Sequence, residues 1–271
     1  MCDCTATQIN EDYVGRIALE PEGPDRVWYI SPDTQTVGSI VDNVLIPRAK
    51  FVVGDGFGQP SDIAVDSTYL YAATGGMWRI PKEGAYHEYD QTDPERIFLT
   101  AVSFFWLDIA TNTAFWFRQP IFAGDWNLYS YDFDTLTETL LAESVATAYD
   151  NPNVTLGPDD LVWVASWPDA APLIQRFQRN GTVVDSFPLV STLEVINDLV
   201  PNGDSVYVAD SQGTIIRISP SSLEECVIEF PTWTVYPDDL QSGPPNKDFY
   251  GTNGLGSNGT DLAFSEQSGG G

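Results

Sequence analysis

The sequence predicts an all-β chain closed into a single β-propeller, and three observations carry that prediction. Six strand-like runs recur at near-constant spacing, each with an aromatic residue near its middle: RVWYIS (26–31), YLYAAT (69–74), AFWFRQ (114–119), LVWVAS (161–166), VYVADS (206–211) and DFYGTN (248–253). Anchored on Trp28, Tyr71, Trp116, Trp163, Tyr207 and Tyr250, the steps are 43, 45, 47, 44 and 43 residues. A period of that size, filled with short strands and turns, is how one blade of four antiparallel strands reads. Pro and Gly (19 and 22) punctuate the 271 residues and argue against long helices. Aromatics at 13% against 2 Met suit flat rings filling the space between stacked sheets.

Taken in order, the segments predict six blades over 13–60, 61–102, 103–152, 153–193, 194–230 and 231–271, with 1–12 as a closing strand. The second repeat shows the pattern best. Ser61–Asp66 reads as an inner strand, Tyr69–Thr74 as the next, Gly75-Gly76 as a turn, Met77–Pro81 as the return and Ala85–Tyr89 as the outer strand. The third repeat runs FFWLDIA, AFWFRQ, NLYSYDF and TETLLAE. The fourth runs VTLGPDD, LVWVAS, LIQRFQ and TVVDSF, with Asn180-Gly181 expected as a primed hairpin turn. The fifth runs INDLVPNG, SVYVADS, TIIRIS and ECVIEF. The sixth has TWTVYP, DFYGTN and TDLAFSE but no outer strand, so residues near 3–9 are expected to complete it and remove a raw edge. A second register is open. There VWYISPDTQTVGSIV (27–41) is an outer hairpin, the first and last segments merge, and the ring has five blades; the long join over 42–60 suits that register.

Lys plus Arg is 12 and Asp plus Glu is 39, a formal net charge of −27, with Lys50, Lys82 and Lys247 the only lysines. Such a surface repels nucleic acid and anionic membranes, so neither is expected as a partner. The longest apolar stretches, such as AVSFFWLDIA (101–110), are too short to cross a bilayer. MCDCTATQINEDY shows no basic region followed by an apolar one, so the chain is expected to be made in the cytoplasm without a secretion signal. Three cysteines, Cys2, Cys4 and Cys226, form no disulfide framework, and with His87 as the single histidine they are too few for a structural zinc. Free thiols are expected.

The segments IAVDSTYLYAATGGMWRIP (63–81) and LVPNGDSVYVADSQGTIIRI (199–218) resemble blades of the NHL and SMP-30/gluconolactonase group of propellers, over about four of the repeats. Membership of the SMP-30 family would imply a divalent metal in the central channel, held by a Glu, two Asn and an Asp, and a metal-dependent lactone hydrolase. The family's E-G-P and P-N-G motifs map to Glu22-Gly23-Pro24 and Pro201-Asn202-Gly203. Glu22 and Asn202 are therefore the metal candidates if the chain is a hydrolase. From the residues themselves, Asn202-Gly203 lies between INDLV and SVYVADS, the place of an inner hairpin turn. His87, in AYHEYD, falls on an outer strand away from any channel, which leaves no Ser-His-Asp arrangement. Asp66, Asp159-Asp160 and Asp238-Asp239 sit beside turns, where Asp caps its own backbone. Neither a DxDxDG calcium loop nor a phosphate-cradling glycine run is present.

No cofactor and no catalytic residue is expected, and the sequence reads as a rigid, acidic interaction disc. Asp125-Trp126-Asn127, in the loop IFAGDWN, is the partner-binding candidate, an aromatic flanked by polar groups at a turn. The acidic, lysine-poor composition and the lack of a signal favour a virion component, such as a tail, baseplate, spike or capsid-decorating protein of a phage or archaeal virus. Its partners would be other virion proteins or copies of itself, with a host receptor or glycan as a further partner. A soluble NHL-like binding propeller or an SMP-30-like hydrolase is the alternative.

Overall fold

The structure, a computed structural model, describes residues 16–20, 26–31, 34–42, 44–52, 61–74, 76–90, 96–98, 105–119, 124–147, 152–166, 172–190, 196–210, 214–228, 252–257 and 262–266. The first blade is β1 (Ile17–Leu19), β2 (Val27–Ser31), β3 (Thr36–Val41) and β4 (Val44–Phe51). The second contains β5 (Asp62–Val65), β6 (Tyr69–Ala73) and β7 (Met77–Pro81). The chain then makes β8 (His87–Tyr89) outside this blade and returns to it as β9 (Arg96–Phe98). The third is β10 (Phe105–Asp108), β11 (Thr113–Arg118), β12 (Trp126–Asp132) and β13 (Thr137–Ala146). The fourth is β14 (Asn153–Leu156), β15 (Val162–Ser166), β16 (Leu173–Phe177) and β17 (Val183–Pro188). The fifth is β18 (Ile196–Asn202), β19 (Ser205–Asp210), β20 (Ile215–Ile218) and β21 (Glu225–Ile228). A two-stranded sheet follows, β22 (Thr252–Ser257) with β23 (Leu262–Glu266).

Within each blade the strands run antiparallel and pair in chain order, apart from the detour through β8. Inner strands β1, β5, β10, β14 and β18 pack side by side, and β22 packs against both β18 and β1, so the ring closes there. The expectation of six four-stranded blades is corrected: the described residues make five, the alternative count. The five do not arise from merging the first and last segments. Residues 27–41 are the middle hairpin β2–β3, and the long join over 42–60 contains β4, the first blade's own outer strand. DFYGTN overlaps β22, which holds an inner-strand place beside β18 and not the second-strand place its aromatic suggested. The closing strand expected near 3–9 lies outside the described residues.

The anchors Trp28, Tyr71, Trp116 and Trp163 fall on second strands and are buried, with Tyr207 half-buried at the same place on β19. A second strand is covered on both faces by neighbouring blades, so β2 (VWYIS) and β15 (VWVAS) are buried at every position and read as unbroken apolar runs. Outer strands keep one face wet, and β17 (VVDSFP) shows it by exposing Val184, Ser186 and Pro188 while Asp185 and Phe187 between them are half-buried. Rings fill the gaps between blades: Phe51 of the first blade lies 5.4 Å from Trp78 of the second, and Tyr71 of the second lies 5.4 Å from Phe133 of the third. Each fully buried side chain of this kind contributes about 1.5–3 kcal/mol.

Two local features depart from the pattern. Strand β8 was expected as the outer strand of the second blade. It instead pairs parallel with β4, placing Ala49 opposite His87, Lys50 opposite Glu88 and Phe51 opposite Tyr89. Arg48 anchors this strap by donating to the carbonyls of Pro81, Lys82, Glu83 and Ala85. The strap covers the first blade's edge, which would otherwise offer unpaired backbone groups. The β16–β17 hairpin is the other. Gly181 alone of the Asn-Gly pair has positive φ (87°), and its N–H donates to the Gln178 carbonyl at 2.8 Å. The turn is thus a type I turn followed by a left-handed glycine, not a primed turn.

Candidate functional site

Four polar side chains meet at the centre of the ring, each at or beside the start of an inner strand. They are Arg16 (just before β1), Asp62 (first in β5), Asn153 (first in β14) and Asp198 (third in β18), all with less than 8% exposure. Arg16 Nη1 lies 2.5 Å from Asp198 Oδ1 and 3.8 Å from Asp62 Oδ1. Its Nη2 donates to Asn153 Oδ1 at 2.6 Å and to the Asn197 carbonyl. The remaining acceptors reach the next sheet round the ring. Asp62 Oδ2 accepts the Phe105 N–H at 2.8 Å, and Asp198 Oδ2 accepts the Leu255 N–H at 2.7 Å. Asn153 Nδ2 donates to the Ile196 carbonyl at 3.2 Å, while Asp62 Oδ1 and Asp198 Oδ1 accept from Ile63 and Leu199.

The arrangement is an ionic clasp spanning all five blades and β22. Burial pushes the Asp62 carboxyl up to about 7; Asp198's charge adds to that rise, and Arg16 with the Phe105 and Ile63 N–H groups opposes it. Buried pairs of this kind add little net stability, but removing one partner leaves a bare charge and costs about 3–5 kcal/mol.

A divalent cation, as the SMP-30 resemblance implies, needs several oxygens open to one point. The donor set here does not fit that demand. Arg16's guanidinium already supplies the positive charge at the centre, and the second carboxylate oxygens are bound to backbone N–H groups. Among the described residues, no group of three or more His, Cys, Asp or Glu side chains is placed to hold a metal ion. Glu22 lies outside the described residues. Asn202 ends β18 opposite Ser205, across a turn in which Gly203 has φ 58°, far along the strand from the Asp198 end of the clasp. Asn202 is therefore not brought together with the central cluster.

The other candidates fall on the body of the fold. Asn127 is buried, and its Oδ1 accepts the Ser144 N–H at 2.9 Å across an irregularity in the β12–β13 pairing. Trp126 is half-buried against the cluster of Phe115, Phe117 and Leu128, which leaves Asp125 as the exposed member of the trio. His87 is exposed on β8, edge-on to Tyr89 at 4.4 Å. Asp66 and Asp159 cap turns: Asp66 accepts the Thr68 and Tyr69 N–H groups and the Tyr71 hydroxyl, and Asp159 accepts the Leu161 N–H and the Trp163 indole N–H. Cys226 on β21 is disulfide-bonded, which corrects the expectation of free thiols. The other two cysteines, Cys2 and Cys4, lie outside the described residues, and so therefore does its partner.

No protein-family model and no curated protein matches this sequence. Solved structures do match in fold. A gluconolactonase-like protein superposes with TM-score 0.60 at 12% identity, over 94% of this chain and 86% of that one. A luciferin-regenerating enzyme gives TM-score 0.59 at 13% identity, over 90% and 80%. An auxiliary nutrient binding protein from Bacteroides thetaiotaomicron gives 0.59 at 9%, over 90% and 64%. At these identities the likeness shows the fold alone, and enzymes and binding proteins share it.

Proposed function

We propose that this chain is a non-catalytic interaction propeller that works outside the reducing cytosol, as a structural component of a virus particle. The observation that carries the non-catalytic reading is Arg16. Its guanidinium stands where channel chemistry would need an open cation site, and both facing carboxylates are committed to it and to backbone N–H groups. The Cys226 disulfide supports the location, because such bonds persist in oxidising surroundings that include virion surfaces. A net charge of −27 supports a soluble, saline setting and a partner surface that is not itself acidic. The partners are copies of this chain or other particle proteins, with a receptor or glycan at the particle surface. Similar folds that bind, such as the nutrient binding protein, make a binding role ordinary for this architecture.

Density-gradient fractionation of the native source, following this chain by mass spectrometry, tests the reading. Co-sedimentation with particles at fixed stoichiometry is the expected result, and recovery in the soluble fraction alone rules out the particle role. Lactone hydrolysis by the purified chain that depends on added divalent metal would overturn the non-catalytic claim separately.

A further inference from the structure

Three places in the chain carry the Asn-x-Thr pattern whose asparagine can take an N-linked sugar: Asn153-Val-Thr155, Asn180-Gly-Thr182 and Asn258-Gly-Thr260. The fold treats them differently. Asn153 is 2% exposed and spent in the central clasp, where its Nδ2 donates to the Ile196 carbonyl and its Oδ1 accepts from Arg16. Thr155, two residues on, is wholly buried. A sugar on the Asn153 Nδ2 is incompatible with the closed ring, so the folded chain carries none there. Asn258 lies outside the described residues.

Asn180 is the opposite case. It is exposed, as is Thr182, at the tip of the β16–β17 hairpin. The tip is a fixed turn, in which Gly181 N–H donates to the Gln178 carbonyl and Gln178 N–H to the Thr182 carbonyl, both at 2.8 Å. Gly181 is its inner side, since an added methyl there would meet the Leu141 carbonyl on β13. Arg179 is tied down, reaching Asp108 of the third blade at 2.7 Å and Asp160 at 2.9 Å. With the glycine against the third blade and the arginine engaged, Asn180 is left facing water. The two polar atoms of its amide then have different roles. Oδ1 accepts the Thr182 N–H at 3.0 Å, within the Asn-Gly-Thr pattern itself. Nδ2, on the other side of Cγ, is the atom that a sugar joins. Joining replaces one of its two hydrogens and leaves Oδ1 an acceptor, so the turn keeps its bond.

We propose that Asn180 is an N-glycosylation site, whose donor is an oligosaccharide carried on a polyprenyl diphosphate. In the transfer, Nδ2 bonds to C1 of the first sugar and the C1–O bond breaks. The lipid diphosphate leaves with that electron pair, and one Nδ2 proton passes to a base of the transferring enzyme. The inference rests on the location proposed above, outside the reducing cytosol, because disulfides such as that of Cys226 and N-linked sugars both belong to proteins found beyond it. It does not rest on the particle role. A bulky, hydrated chain at this tip shields the exposed Val183 and Val184 beside it from another protein's strand.

Intact-glycopeptide mass spectrometry of the chain purified from its native source tests this, with the state of Cys226 read in the same unreduced digest. A sugar mass is expected on the peptide holding Asn180 and none on the peptide holding Asn153. It should be lost in Asn180→Gln and in Thr182→Ala made in the same source. Thr182→Ala keeps the acceptor amide and breaks the pattern, so it separates an enzyme-read site from other chemistry at an Asn-Gly pair. A bare Asn180 in a chain whose Cys226 is disulfide-bonded overturns the glycan and leaves the location standing. A bare Asn180 with Cys226 as a thiol overturns both. A sugar that survives Thr182→Ala overturns the assignment as well.

Discussion

At Asp62 two demands oppose each other. Burial and the neighbouring Asp198 favour a proton on its carboxyl, while Arg16 and the N–H groups of Phe105 and Ile63 favour the anion, and the balance falls at about 7. An unfolded aspartate titrates near ~3.9. Between roughly pH 4 and 7 the folded chain therefore holds a proton that the unfolded chain has released, so Asp62's contribution to stability falls as pH rises through that window. Asp62→Asn mimics the protonated side chain and keeps an acceptor for Phe105. The wild type should lose melting temperature from pH 5 to pH 8 relative to the Asn variant. Parallel profiles for the two proteins would dispose of this account. The clasp was half legible in the sequence. Asp62, Asn153 and Asp198 are polar residues at or near the starts of three inner strands, a recurrence the spacing could have shown. Arg16 was not legible, because its partners lie far along the chain and only ring closure brings them together.

At the scale of elements, second strands were the easiest to find, since burial on both faces gives an aromatic, β-branched run with no polar interruption. Outer strands were harder. AYHEYD reads as a strand, and it is one, but nothing local says that β8 pairs with the first blade when its sequence neighbours build the second. That choice rests on Arg48 and the carbonyls it gathers. The Asn180-Gly181 hairpin was legible as a turn, though its type depended on what it touches. A methyl group built on Gly181 would collide with the Leu141 carbonyl on β13, so the hairpin tip of the fourth blade rests on the backbone of the third. Gly181→Ala combines that collision with a φ of 87°, for a cost of about 1–3 kcal/mol. The melting temperature should drop by about 2–4 °C for each kcal/mol lost. An unchanged melt would mean that the two blades do not meet through this glycine.

For the whole molecule, the ring is held by short-range forces and opposed by a long-range one. Aromatic packing between blades and the clasp at the centre act over a few ångströms, in places salt reaches poorly. The excess of 39 acidic over 12 basic side chains acts across the disc, and compaction crowds those charges together. Exposed pairs such as Arg26 with Glu83 are worth little and cannot offset it. The screening length falls from about 30 Å at 0.01 M salt to about 3 Å at 1 M. Over that range repulsion should fade while the buried contacts persist, so the melting temperature should rise steadily with sodium chloride. Sodium chloride in place of sulfate keeps the effect electrostatic, since sulfate also strengthens apolar burial. A melting temperature that falls with salt would mean that surface ion pairs, and not the blade interfaces, hold the ring. That outcome would also remove the physical reason for linking this acidic surface to a saline habitat.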